Sequence, residues 1–186
     1  MSDDPDDENE DIAVWAKQRG INDFYDCSNK LTTELEAARD AFAEADIPIS
    51  ELRKQPELNH PPDCQALLDH GLVGIEVTEL VTQEVIEQYK RDGTVLFKAW
   101  SRDAFLCRLC DIIAEKDQPK DIREGPYSKY FLVVHTDELG IKEEVVRPWL
   151  AEFTPTVELL DEVLLLLSYE PETKRRPVIR IATQKR

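Results

Sequence analysis

The run from Val73 to Leu80, VGIEVTEL, constrains the fold more than any other part of the chain. Val73, Ile75, Val77 and Leu80 make it apolar enough for a strand at the centre of a sheet, covered on both faces. Glu76 stands inside that run, and a carboxylate taken out of water needs a partner. The two-residue period of a strand puts Glu76 and Thr78 on one face and Ile75 and Val77 on the other. An acid is thereby carried into the sheet, and its surroundings decide what the chain can do.

The neighbouring elements follow from local signals. Asp63 starts a strand to about Leu68 after the pair Pro61-Pro62, and Asp69-His70-Gly71 reads as a tight turn back into VGIEVTEL. That turn brings the carboxylates of Asp63 and Glu76 together. Upstream, Thr33 and Glu36 fit a capping box for a helix to about Ala45, with Leu31, Leu35, Ala38 and Phe42 on its apolar face. Pro48 ends it, and ISELRKQ reads as the first strand, followed by the loop ELNHPP. Downstream, a helix is expected from Thr82 to about Arg91, closed by Asp92-Gly93, then an extended stretch over 94–100. Ser101 caps a longer helix, SRDAFLCRLCDIIAEK, which stops before Pro119, and YFLVVHT (130–136) is a strand. A helical or mixed segment to about Leu160 precedes two further strand candidates, VLLLLSY and PVIRIAT. This order predicts an α/β sandwich around a mixed sheet.

Composition bounds the function. The 186 residues are 41% hydrophobic, enough for one domain with a single sizeable core. No apolar run is long enough to span a bilayer, and MSDDPDDENED lacks the basic and apolar parts of a secretory signal. A soluble cytoplasmic protein with no membrane partner is expected, and reduced thiols at Cys27, Cys64, Cys107 and Cys110. Cys107-x-x-Cys110 has the spacing of half a zinc site but no second pair accompanies it. The net charge of −16 opposes tight, non-specific binding to phosphate backbones. Seven acids crowd residues 1–11, which read as a disordered acidic tail ahead of a single domain over 12–186. The basic segment 174–186 either touches phosphate or solvates an edge strand.

Two acids at the inner ends of neighbouring strands suit an oxygen-ligated divalent ion, which takes one or two carboxylates and several waters. With Pro62-Asp63 followed by Glu76-Val77-Thr78 in an apolar strand, the chain resembles the PD-(D/E)XK nuclease superfamily over about residues 31–136. The resemblance implies a restriction-endonuclease-like fold with an α-β-β-β-α-β core and metal-dependent phosphodiester hydrolysis, usually of DNA, with Mg²⁺ or Mn²⁺ at Asp63 and Glu76. The superfamily's lysine position is occupied here by Thr78, whose hydroxyl carries no positive charge.

A lysine from elsewhere could replace it, and Lys90, Lys98 and Lys116 are the candidates. With Phe105 at 0° and about 100° per residue, Leu109 falls at about 40°, Ile112 at about 340° and Lys116 at about 20°. Lys116 thus shares the apolar stripe of its helix, where an ammonium needs a carboxylate such as Glu76; the alternative is that it reaches solvent at the helix end. The superfamily's further acid, from the first helix, corresponds best to Glu34, at the border of the buried face, as a third metal ligand. His135, closing its strand, reads as a structural histidine before a substrate contact. Nucleic acid, DNA ahead of RNA, and a second copy of the chain in a homodimer are the partners to consider. Two other readings compete: a catalytically inactive nuclease fold serving as a binding or regulatory module, which Thr78 and the acidity favour, and an unrelated α/β interaction domain with Glu76 on an exposed strand face.

Overall fold

The computed structural model describes residues 30–55, 62–81, 91, 99–118, 125–138 and 140–186. The chain divides into residues 1–33 and 34–186; apart from the first turn of one helix, the described elements belong to the second unit. The acidic head and the residues after it to 29, the loop ELNHPP except Pro62, the helix expected from Thr82 except Arg91, and residues 92–98 lie outside the described residues.

The elements in chain order are α1 (Lys30–Glu44), β1 (Ser50–Lys54), β2 (Cys64–Leu68), β3 (Gly71–Glu79), α2 (Arg102–Lys116), β4 (Lys129–His135), α3 (Glu143–Leu150), β5 (Thr156–Val157), β6 (Glu162–Leu166), β7 (Val178–Ile181) and β8 (Gln184–Lys185). Six strands form one mixed sheet in the order β1-β2-β3-β4-β6-β7. β2 runs antiparallel to both of its neighbours, β1 and β3; β3, β4 and β6 run parallel, and β7 closes the far edge antiparallel to β6. The β2–β3 connection is the two-residue turn Asp69-His70, both with positive φ (50° and 66°), as the twist of a tight hairpin requires. β5 and β8 pair separately.

Helices flank the sheet on both faces. One apolar layer joins Ala37, Ala38, Ala41 and Phe42 of α1 to Ile75, Val77, Phe131, Val133 and Leu164. The other joins Phe105, Leu109, Ile112 and Ile113 of α2 to Tyr130, Leu132, Val134, Val163 and Leu165. β3 and β4 are buried on both faces, which explains why their sequences are nearly continuous apolar runs. No helix among the described residues is long and apolar enough to cross a membrane.

Two local expectations need correction. α1 is already formed at Lys30, so Thr33 lies within it and does not cap it. The buried stripe of α1 is Glu34, Ala37, Ala38, Ala41 and Phe42, while Leu35 is half-buried. The alanines and Phe42 face the sheet, and Glu34 lies on the same stripe. Of the stretch 94–100, Ala99 and Trp100 are described and lie outside any helix or strand.

The basic C-terminal segment is tied to acids of the fold. Arg175 pairs with Glu44, Arg176 with Asp40 and Asp137, Arg180 with Glu162, and Lys185 with Asp161. It fastens the edge strand β7 and the β8 segment to their neighbours.

Candidate carboxylate–lysine site

The site is built where β2, β3, β4 and the end of α2 meet. Strand alternation directs Ile75 and Val77 into the α1 layer and turns Glu76 to the α2 face. Glu76 is 1% exposed, so the exposed-strand reading of this residue does not hold. Cys64 lies opposite Ile75 in the antiparallel β2–β3 ladder. Asp63, one residue earlier, is therefore placed beside Glu76, and its Oδ2 accepts a hydrogen bond from the Val77 backbone N–H at 2.8 Å. Pro62, which is buried, fixes the approach of the chain to this point.

Lys116 arrives from the last turn of α2, whose length follows from its ends. Ser101 caps the first turn by accepting from the Ala104 N–H, and Asp117 closes the last. The Asp117 carboxylate accepts from three consecutive backbone N–H groups, those of Glu158, Leu159 and Leu160, at 2.7, 2.7 and 3.1 Å. This anchors the helix end to the loop before β6 and holds Lys116 over the sheet. Its Nζ lies 2.6 Å from Glu76 Oε2. The other oxygen of Glu76 accepts from the Tyr130 hydroxyl at 3.1 Å.

The electrostatics follow from this arrangement. Burial raises the Glu76 carboxyl above the ordinary range, and the adjacent Asp63 raises it further; Lys116 and Tyr130 act in the opposite sense. Burial disfavours the Lys116 ammonium, but the charge and hydrogen bond of Glu76, with Asp63 and Glu34 behind, outweigh it and leave its pKa raised. The site is therefore a pair of carboxyl groups served by one ammonium. Burial chiefly, then Asp63 and Glu34, push the neighbouring Cys64 thiol up to about 12, so it stays protonated and unreactive.

Not every candidate joins the pair. Glu34 is buried but forms an ion pair with Lys54 at 3.0 Å. Among the described residues, no group of three or more His, Cys, Asp or Glu side chains is placed to hold a metal ion. The expected three-acid ligand set of Asp63, Glu76 and Glu34 is thus not assembled; the lysine on β1 takes Glu34 instead. Thr78 is half-buried two residues beyond Glu76, beside Val134. Lys90 and Lys98 lie outside the described residues. His135 is 5% exposed, at the far end of β4 beside Glu79, and burial with Arg176 nearby lowers its pKa to about 4. It is a neutral core histidine. Cys107 and Cys110 are exposed free thiols on α2.

Sequence reasoning missed Tyr130, Gln65 and Tyr127. Gln65 is 2% exposed, donates to the Tyr127 hydroxyl at 2.6 Å and accepts from Arg53 at 3.2 Å. The available signals were a glutamine inside CQALL and Gly74 inside β3, since a strand glycine marks a close approach. No protein-family model, curated protein or solved structure matches this chain.

Proposed function

We propose that the chain is a metal-dependent phosphodiester hydrolase of PD-(D/E)XK type acting on DNA. Asp63 and Glu76 hold a Mg²⁺ or Mn²⁺ ion, and Lys116 from α2 takes the role that Thr78 cannot fill. The observation that carries this reading is the 2.6 Å contact of Lys116 with Glu76, beside Asp63, on a described element order of helix, three strands, helix, strand. That order is also what favours a restriction-endonuclease-like sandwich over a generic mixed α/β fold.

The donor set fits such an ion. Two adjacent carboxylates share a single ammonium, so a divalent cation relieves their repulsion, and Mg²⁺ commonly takes two carboxylates and completes its shell with water. Each carboxylate oxygen has about two acceptor directions, so Glu76 can keep Lys116 and Tyr130 and still face an ion. A bound divalent ion polarises a phosphoryl oxygen and lowers the pKa of water. The Lys116 ammonium orients the attacking water beside Glu76 and offers positive charge to the phosphate. Asp63 is held in place by the Val77 N–H. At a net charge of −16, DNA is engaged through the ion and local cations, not through a broad basic surface.

Mn²⁺ titration by calorimetry tests the ligand set. The wild-type chain is expected to bind one ion in the micromolar to millimolar range, and Asp63→Asn or Glu76→Gln to weaken it at least tenfold. Equal affinity in all three proteins would rule out these ligands.

One observation favours an inactive nuclease fold as the second reading. Both oxygens of Glu76 already have protein partners, and no third acid joins the pair among the described residues. In that case the ion pair is a structural plug, and the face around it serves binding alone.

A further inference from the structure

Tyr130 lies on β4 beside Gly74 of β3, and its ring occupies the space where another residue's side chain would begin. A Cβ at position 74 would sit 2.6 and 2.7 Å from two ring carbons of Tyr130, well inside any tolerated contact. The ring is therefore seated on bare backbone. Its edge packs against Tyr127, with centroids 5.8 Å apart at 67°. Tyr127 is held in turn by Gln65, which Arg53 of β1 engages from the other side. The Tyr130 backbone N–H donates to Asp161 at 2.8 Å, which fixes the strand at this residue. At 3% exposure, the hydroxyl has Glu76 Oε1 as its partner at 3.1 Å.

We propose that Tyr130 is a positioning residue of the carboxylate–lysine site. Its hydroxyl locks the rotation of the Glu76 carboxylate, so that the second oxygen is presented to Lys116 and to an incoming divalent ion. Gly74, Tyr127 and Gln65 form the shell that holds the tyrosine in that pose. The metal-binding part of this role rests on the hydrolase reading; the orienting hydrogen bond does not.

A packing role and a positioning role separate cleanly. Tyr130→Phe keeps the ring and removes only the hydroxyl, whereas Gly74→Ala keeps the hydroxyl and displaces the ring. Groups that orient metal ligands change affinity by about 10- to 100-fold when removed. Both variants are therefore expected to weaken Mn²⁺ binding at least tenfold while retaining the circular dichroism spectrum of the wild type. A double-mutant cycle in denaturant, without metal, gives the independent readout. Tyr130→Phe is expected to raise the unfolding constant about tenfold in the wild-type background, as for loss of a hydrogen bond to a charged group. In the Glu76→Met background, which lacks the acceptor, the same change is expected to have less than about a twofold effect.

Wild-type Mn²⁺ affinity in Tyr130→Phe, or equal effects in the two backgrounds, would overturn the proposal. If the wild-type chain binds no Mn²⁺, the hydrolase reading fails on its own account. The cycle then still decides, by equal or unequal effects, whether Tyr130 positions Glu76.

Discussion

Lys116→Met is expected to destabilise the domain by about 2–3 kcal/mol at pH 8, and by less at pH 5. Removing one partner of a buried ion pair costs about 3–5 kcal/mol when both groups are fully enclosed. Here Glu76 is 2% exposed in its side chain but Lys116 is 32% exposed, so water already screens one end. Without the ammonium, the Glu76 carboxyl keeps the Tyr130 hydroxyl and faces Asp63 as a like-charged neighbour, and its pKa moves further up. A carboxyl raised in the folded state stabilises the fold while protonated, and that contribution is lost as pH rises through its folded value. The deficit of the variant therefore grows with pH. Chemical denaturation at the two pH values measures it directly. The double variant Glu76→Gln/Lys116→Met is expected to return to within about 1 kcal/mol of the wild type, because no buried charge remains to be paired. A single variant as stable as the wild type at pH 8 would show that the contact does not hold the helix end to the sheet.

Glu79→Gln is expected to stabilise the chain by about 2–4 kcal/mol at pH 9 and to leave it unchanged near pH 4.5. This glutamate ends β3 beside His135, and its Oε1 is buried with no hydrogen-bond partner among the described residues. Burial, followed by the charges of Asp137 and Glu138, pushes its carboxyl up to about 8. Each tenfold change in proton affinity corresponds to about 1.4 kcal/mol. A rise from 4.5 to about 8 therefore removes up to about 5 kcal/mol across that pH interval, less after allowance for the partial exposure of the residue. The direction is fixed: the folded chain holds this proton more tightly than the unfolded chain, so wild-type stability falls as pH climbs from about 4.5 toward 8. The glutamine carries no charge and escapes that loss. Parallel stability profiles for the two proteins over this range would remove Glu79 as the source.

The sequence reaches further into this site than its composition suggests. VGIEVTEL announces a central strand through its apolar residues, and period two alone separates Glu76 from Ile75 and Val77. The 100° step of a helix places Lys116 on the stripe of Phe105, Leu109 and Ile112, and the fold delivers it to Glu76. Both deductions work because strand and helix periods are local geometry. What stayed hidden depends on contacts between strands distant in sequence. Tyr130 reads as one more aromatic in an apolar strand until the β3–β4 register sets it over Gly74. Gln65 gains meaning only when Tyr127, 62 residues away, closes onto it. Glu34 misled for the opposite reason: the helical wheel put it at the edge of the buried face, but the wheel holds no information about Lys54 on β1. Thr33 does not mark the start of α1, because a Thr-x-x-Glu pattern can also occur inside a helix.

Mn²⁺-dependent cleavage of a fluorescent DNA duplex and single strand shows whether Asp63, Glu76 and Lys116 carry out hydrolysis. Wild type, Glu76→Gln and Lys116→Met should be purified identically and compared with and without a chelator. The expected result is cleavage by the wild type that chelation abolishes, with both variants slowed at least a hundredfold. Cleavage that persists in Glu76→Gln, or a folded, Mn²⁺-loaded wild type that leaves both substrates intact, would contradict the hydrolase reading.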